Sequence, residues 1–264
     1  MRRTCLAVVL LLAGALPSDA QAPESQFART LVRAQRGDTA SQFRLGELYA
    51  SGQGVSRDPG VAADWYRRAA TRGHARAQHA LGLLYANGTG LARDQVEAAR
   101  WFRLAAEQRL PRAQNDLGFM YSVGSGVDED DTEAVRWYLR AAGQGFAPAQ
   151  YNLAVMYTHG TGVAPDAGEA LRWYRRAASG GIALAQHSLG VLYSSGAGVA
   201  QDDARAYMWL AVAETGVDGE DAQRVATLRT VVADRLTFTQ WNDAHAAATA
   251  CLTSNFQDCG EPED

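Results

Sequence analysis

The chain has 264 residues, 47% of them hydrophobic and 20% charged, a balance that fits a folded protein and neither a disordered tail nor a membrane bundle. All 25 basic residues are arginine, so chemistry that needs a phosphate-loop, Schiff-base or nucleophile-activating lysine is excluded. The formal charge of −4 lacks the basic footprint of a nucleic-acid partner.

The first segment reads as an address. Arg2 and Arg3 precede an apolar run from Leu6 to Leu16, and Pro17-Ser18-Asp19-Ala20 ends in a small residue suited to signal-peptidase cleavage. The expectation is a signal peptide over 1–20 and a periplasmic or secreted product with no membrane span after cleavage. Residues 21–37 follow as an N-terminal capping helix, with Ala34 and Gly37 in the phase of Ala70 and Gly73 further on.

Residues 38–217 are then a repeat of period 36. Tyr49, Tyr85, Tyr121, Tyr157 and Tyr193 recur at that spacing, as do Trp65, Trp101, Trp137, Trp173 and Trp209. In each unit Gln-x-x-Leu-Gly-x-x-Tyr places one stripe on a first helix, as with Gln78, Leu81, Gly82 and Tyr85. A Gly-x-Gly turn ends that helix. Asp58, Asp94, Asp130, Asp166 and Asp202 cap the second, and Glu97, Glu133 and Glu169 stand at capping-box spacing behind three of them. Ala98, Trp101, Phe102, Ala105 and Ala106 show the second buried stripe.

The pattern, nearly verbatim over 149–181, resembles the Sel1-like repeat, a relative of the tetratricopeptide repeat. The resemblance covers about two thirds of the chain and implies a fold: an all-α, right-handed α-solenoid of five 36-residue helix-turn-helix repeats with helical caps. Departures are Ser41 for an alanine, Ala154 and Arg109 for glycines, and Glu214 and Val217 as the fifth unit becomes a cap. After the repeats, Val225, Leu228, Val232 and Leu236 mark one amphipathic helix. Thr237 and Gln240 open another, which carries Trp241, Ala244, Ala248 and Leu252, so that 218–252 form C-terminal capping helices. A polar, loose tail is expected over 253–264. Cys251 and Cys259 are a candidate disulfide in an oxidising compartment; the alternative is two thiols held apart.

Catalytic signals are absent. His74, His79, His159, His187 and His245 form no metal-ligand spacing, and no Gly-x-Ser-x-Gly, His-Glu-x-x-His or Cys-x-x-Cys occurs. No enzyme activity and no cofactor is expected. Some secreted Sel1-like proteins carry a cysteine pair in every repeat; this chain lacks them, so no β-lactam activity is carried over.

Subtracting the template leaves a stripe on the first helices: Phe43, Glu47, His79, Leu83, Asn115, Phe119, Tyr151, Val155, His187 and Val191, with His159 one turn on. In tetratricopeptide solenoids first helices line the concave surface, and this mixture suits a protein or peptide groove. The alternative is partial burial against neighbouring helices. The resemblance thus implies a monomeric or weakly oligomeric adaptor in the bacterial envelope that binds a protein or peptide partner and regulates signalling. An enzyme or carbohydrate-binding module acting on cell-wall polymers is the competing class.

Overall fold

The computed structural model describes residues 21–259. The segment 1–20, expected to be a signal peptide, and the tail end 260–264 lie outside the described residues. Helix α1 (Gln21–Gln35) precedes five helix pairs. These are α2 (Thr39–Ser51) with α3 (Pro59–Ala70), α4 (Ala75–Asn87) with α5 (Gln95–Glu107), α6 (Pro111–Ser122) with α7 (Asp131–Ala142), α8 (Ala147–His159) with α9 (Ala167–Ser179), and α10 (Ala183–Ser195) with α11 (Asp203–Glu214). Helices α12 (Gly219–Ala233) and α13 (Phe238–Thr253) close the array against α11, and among the described residues there is no strand. From α1 to α12 each helix packs on the next in sequence, which is the geometry of an all-α solenoid.

The turns explain the glycines. At Gly126 the backbone is left-handed (φ 71°), and a Cβ there would stand 2.0 Å from the carbonyl oxygen of Gln95 at the start of the preceding repeat's second helix. Conformation and close approach both demand glycine. Gly82 serves a different purpose in mid-helix, because the Phe102 ring of its own repeat fills the place of its side chain, 2.6 Å from where a Cβ would sit.

The five aspartates cap their helices, for example Asp94 accepting from the Glu97 amide at 3.0 Å and Asp130 from that of Glu133 at 2.9 Å. The expected capping boxes form only this half. The cap's own N–H already donates to the tyrosine carbonyl that ends the first helix, as in Asp94 to Tyr85 at 3.0 Å. The freed glutamates turn forward to an arginine three residues on: Glu97 to Arg100, Glu133 to Arg136, Glu169 to Arg172. Among the described residues only Thr237 and Gln240 complete a box, at the start of α13.

Two devices seal one repeat to the next. The buried glutamine of each first helix donates to the last alanine carbonyl of the preceding second helix, as in Gln78 to Ala70 (3.1 Å) and Gln114 to Ala106 (3.0 Å). Gln42 donates in the same way to Ala34 of α1 (3.1 Å), so α1 stands in for a second helix. The tryptophans reach backwards: Trp101 is buried in the cluster of Ala62, Tyr66 and Leu81, and Trp137 in that of Ala98, Phe102 and Leu117. Arginines stack on their outer faces, Arg140 over Trp137 at 4.3 Å and Arg68 over Trp65 at 4.4 Å.

The C-terminal segment departs from the expected loose tail. Helix α13 runs to Thr253, and a disulfide joins Cys251 to Cys259, both buried. The Phe256 ring lies against Gly181, so the chain is held back onto the core as far as residue 259.

Candidate protein-binding face

Repetition fixes where each off-template side chain stands. Phe43, His79, Asn115, Tyr151 and His187 each follow the buried glutamine of a first helix, whereas Glu47, Leu83, Phe119, Val155 and Val191 lie one turn on. The first set is half-buried, not exposed, and in three units the residue after the glutamine packs on the aromatic ring of its own second helix. Phe43 packs on Tyr66 (centroids 5.7 Å apart) and stacks on His74 (4.7 Å). His79 lies 5.5 Å from Phe102, and Tyr151 lies 6.0 Å from Tyr174. The stripe is therefore both groove wall and packing surface, and the alternative of partial burial holds for its first row. Among the second row, Leu83, Phe119 and Val191 are exposed, Phe119 by 55%. His159 is exposed in the last turn of α8.

Burial sets the protonation of this face. It raises the Tyr151 hydroxyl, with Tyr174 acting in the same direction, and pushes that of Tyr66 up to about 12, with Glu47 adding to the effect. Both phenols are neutral hydrogen-bonding groups at physiological pH. Burial lowers the pKa of His187, and the cation of Arg224 lowers it further, against the opposing effect of Asp221. Both charges belong to α12, so the capping helix approaches the face at the fifth repeat.

Sequence reasoning missed two residues of the face. Asp116 accepts from the His79 ring at 2.7 Å, and Asn152 donates to the Asn115 side-chain carbonyl oxygen at 3.0 Å. With Asn115 donating to Asp116 at 3.2 Å, a polar chain crosses from α4 through α6 to α8. The signal was present as polar pairs at i and i+37 in adjoining repeats.

Two hollows open here. One, of about 570 Å³, is lined by Phe43, Glu47, Arg76, His79, Leu83, Arg112 and others, and reaches Phe146 at the N-cap of α8. A smaller one of about 280 Å³ lies between Phe119, Tyr138, Asn152 and Val155. Among the described residues no group of three or more His, Cys, Asp or Glu side chains could hold a metal ion, and no helix is long and apolar enough to cross a membrane.

The comparisons with known proteins converge on one family. The Sel1 repeat model matches five consecutive units, 39–74, 75–110, 111–146, 147–182 and 183–213. Among solved structures, a Sel1 repeat protein from Oxalobacter formigenes is 33% identical over 76% of this chain and 83% of that one, with a TM-score of 0.71. A protective antigen present in uropathogenic Escherichia coli strains and displaying an SLR fold is 31% identical over 89% of this chain, with a TM-score of 0.69. This chain spans 53% of that antigen's length. No curated protein matches.

Proposed function

This chain belongs to the Sel1 repeat family, and we propose that it is a non-catalytic scaffold of the bacterial envelope that holds a protein or peptide partner on the concave, first-helix face and thereby regulates a signalling partner. Sel1 repeat proteins are generally protein-interaction scaffolds. One observation carries the reading: the residues that break the repeat gather on one face and shape two adjoining hollows there, whereas the repeated residues are spent on stacking. The address read in residues 1–20 supports the envelope location.

The test begins with residues 21–264 as bait in an envelope extract, followed by calorimetric titration of the captured partner. Tyr151→Ala should weaken binding by more than about 1 kcal/mol with the helical circular dichroism unchanged. Arg136→Ala, at an exposed position on a second helix, should do little. The opposite ranking would move the interface to the second helices.

A second reading has one observation in its favour. On α13 the rings of Phe238, Trp241 and His245 stack in a row, with centroids 6.4 and 5.3 Å apart, and Phe238 is 78% exposed. Such a row is a platform for a sugar polymer. Quenching of tryptophan fluorescence by soluble cell-wall glycans, lost in Trp241→Ala, would favour it over the scaffold reading.

A further inference from the structure

Although the whole chain is acidic, two arginines, Arg76 and Arg112, line the larger hollow. They hold the same place in consecutive repeats, two residues before the buried Gln78 and Gln114. The other repeats carry Ala40, Pro148 and Leu184 there, so stacking does not require a cation at this position. Both are exposed, and neither has a hydrogen-bond or ion-pair partner among the described residues. Several arginines elsewhere are engaged, Arg67 with Asp64 and Tyr85, Arg103 with Tyr121, Arg136 with Glu133.

Stability gives no reason for the pair. Each lies in the first turn of its helix, the end where the helix dipole disfavours a cation, and no acid shares that turn. The acids nearby are already taken, Glu47 by Arg44 and Asp116 by His79. Two uncompensated cations thus stand beside an apolar wall of Phe43, Leu83 and Phe146.

We propose, building on the scaffold reading, that this hollow docks an extended acidic segment of a partner protein. Aspartate or glutamate side chains pair with Arg76 and Arg112, and a bulky apolar side chain rests on the Phe43–Leu83–Phe146 wall. Side chains of α4 and α6 meet through His79 and Asp116, so the two arginines stand on neighbouring first helices. The expected motif is therefore a pair of spaced acids with an apolar neighbour. Presenting one arginine per repeat along a line suits spaced carboxylates better than a single multiply charged group.

The experiment is panning of a random 12-residue phage library on residues 21–264, followed by anisotropy titration of the best synthetic peptide. Enriched sequences should carry two spaced acidic residues beside an aromatic or aliphatic residue. Replacing those acids by their amides, or making Arg76→Ala/Arg112→Ala, should each weaken binding about tenfold. The double variant should keep the wild-type thermal midpoint, which separates recognition from folding. Enriched peptides without acidic preference whose binding is nonetheless lost in Leu83→Arg would overturn the acidic motif and leave the scaffold reading standing. Peptides indifferent to both sets of substitutions, or no enrichment at all, would count against both.

Discussion

The seam between repeats and the face of the first helices are built from the same helices and follow opposite rules. At the seam the units repeat one another: a tryptophan buried in the preceding unit, a glutamine on an alanine carbonyl and, at Gly90, Gly126 and Gly162, a glycine against the neighbour's backbone. On the face the units diverge, and one position runs Phe43, His79, Asn115, Tyr151, His187. Because each unit of a solenoid contacts only its neighbours, an error at the seam is copied into the stability of the whole stack, whereas a change on the face stays local. Invariance marks what holds the rod together, and variation marks what the rod can recognise.

The largest test of that contrast is a pair of aromatic truncations. Trp137→Ala empties a buried site between the second and third repeats and should cost about 3–5 kcal/mol. Phe119→Ala, on the same repeat's face, should stay within about 0.5 kcal/mol of wild type. Trp241→Ala, in the cap, should fall between them. Calorimetry that ranks Phe119 with Trp137 would erase the distinction between seam and face.

A glycine pair sharpens it. Gly126 and Gly54 hold equivalent turns with nearly equal φ (71° and 74°), yet a Cβ at Gly54 meets nothing within 4 Å. Gly54→Ala should therefore cost only the left-handed backbone, about 1 kcal/mol. Gly126→Ala adds a collision with backbone that cannot turn aside, and should cost at least about twice as much. Equal losses in chemical denaturation would show that the turn conformation, not its contact with the neighbouring repeat, sets the price.

Much of this fold was legible because repetition makes each residue vouch for four others: Trp101 alone is an aromatic, but at period 36 it is a seam. The face was legible only in part. A helical wheel places Tyr151 opposite Leu153, but it cannot show that the Tyr174 ring of the partner helix half-covers it. Nor does one helix reveal the bond from Asn152 to Asn115, since that requires knowing that first helices lie side by side 37 residues out of step. The approach of α12 to His187 depends on how the cap docks, for which no repeat supplies a precedent.

One departure visible in the sequence offers a gain instead of a loss. Arg109 stands where equivalent positions carry Gly37, Gly73, Gly145 and Gly181, and it adopts their left-handed conformation at φ 64°. A residue that carries a Cβ is strained there, so Arg109→Gly should raise stability by about 1 kcal/mol. An unchanged midpoint would mean that the arginine side chain returns an equal amount through contacts on the seam.

The smallest effect separates seam from face by titration. His74 caps α4 at the seam, its ring nitrogen accepting the Ala77 amide at 3.2 Å, whereas His187 lies on the face. Burial lowers both pKa values below the ordinary 6.5, assisted by Arg76 for His74 and by Arg224 for His187. A lowered histidine pKa means that the unfolded chain binds the proton first, so stability is full above about pH 6.5 and declines as pH falls toward the native value. Protonating His74 also removes the acceptor that caps its helix, a loss with no counterpart at His187. His74→Asn keeps a capping side chain that does not titrate, and should flatten the decline in thermal midpoint between pH 7 and 5. His187→Asn should flatten it less. If His187→Asn has the larger effect, the charges of α12 govern the acid response, and the face, not the seam, is the more pH-sensitive of the two regions.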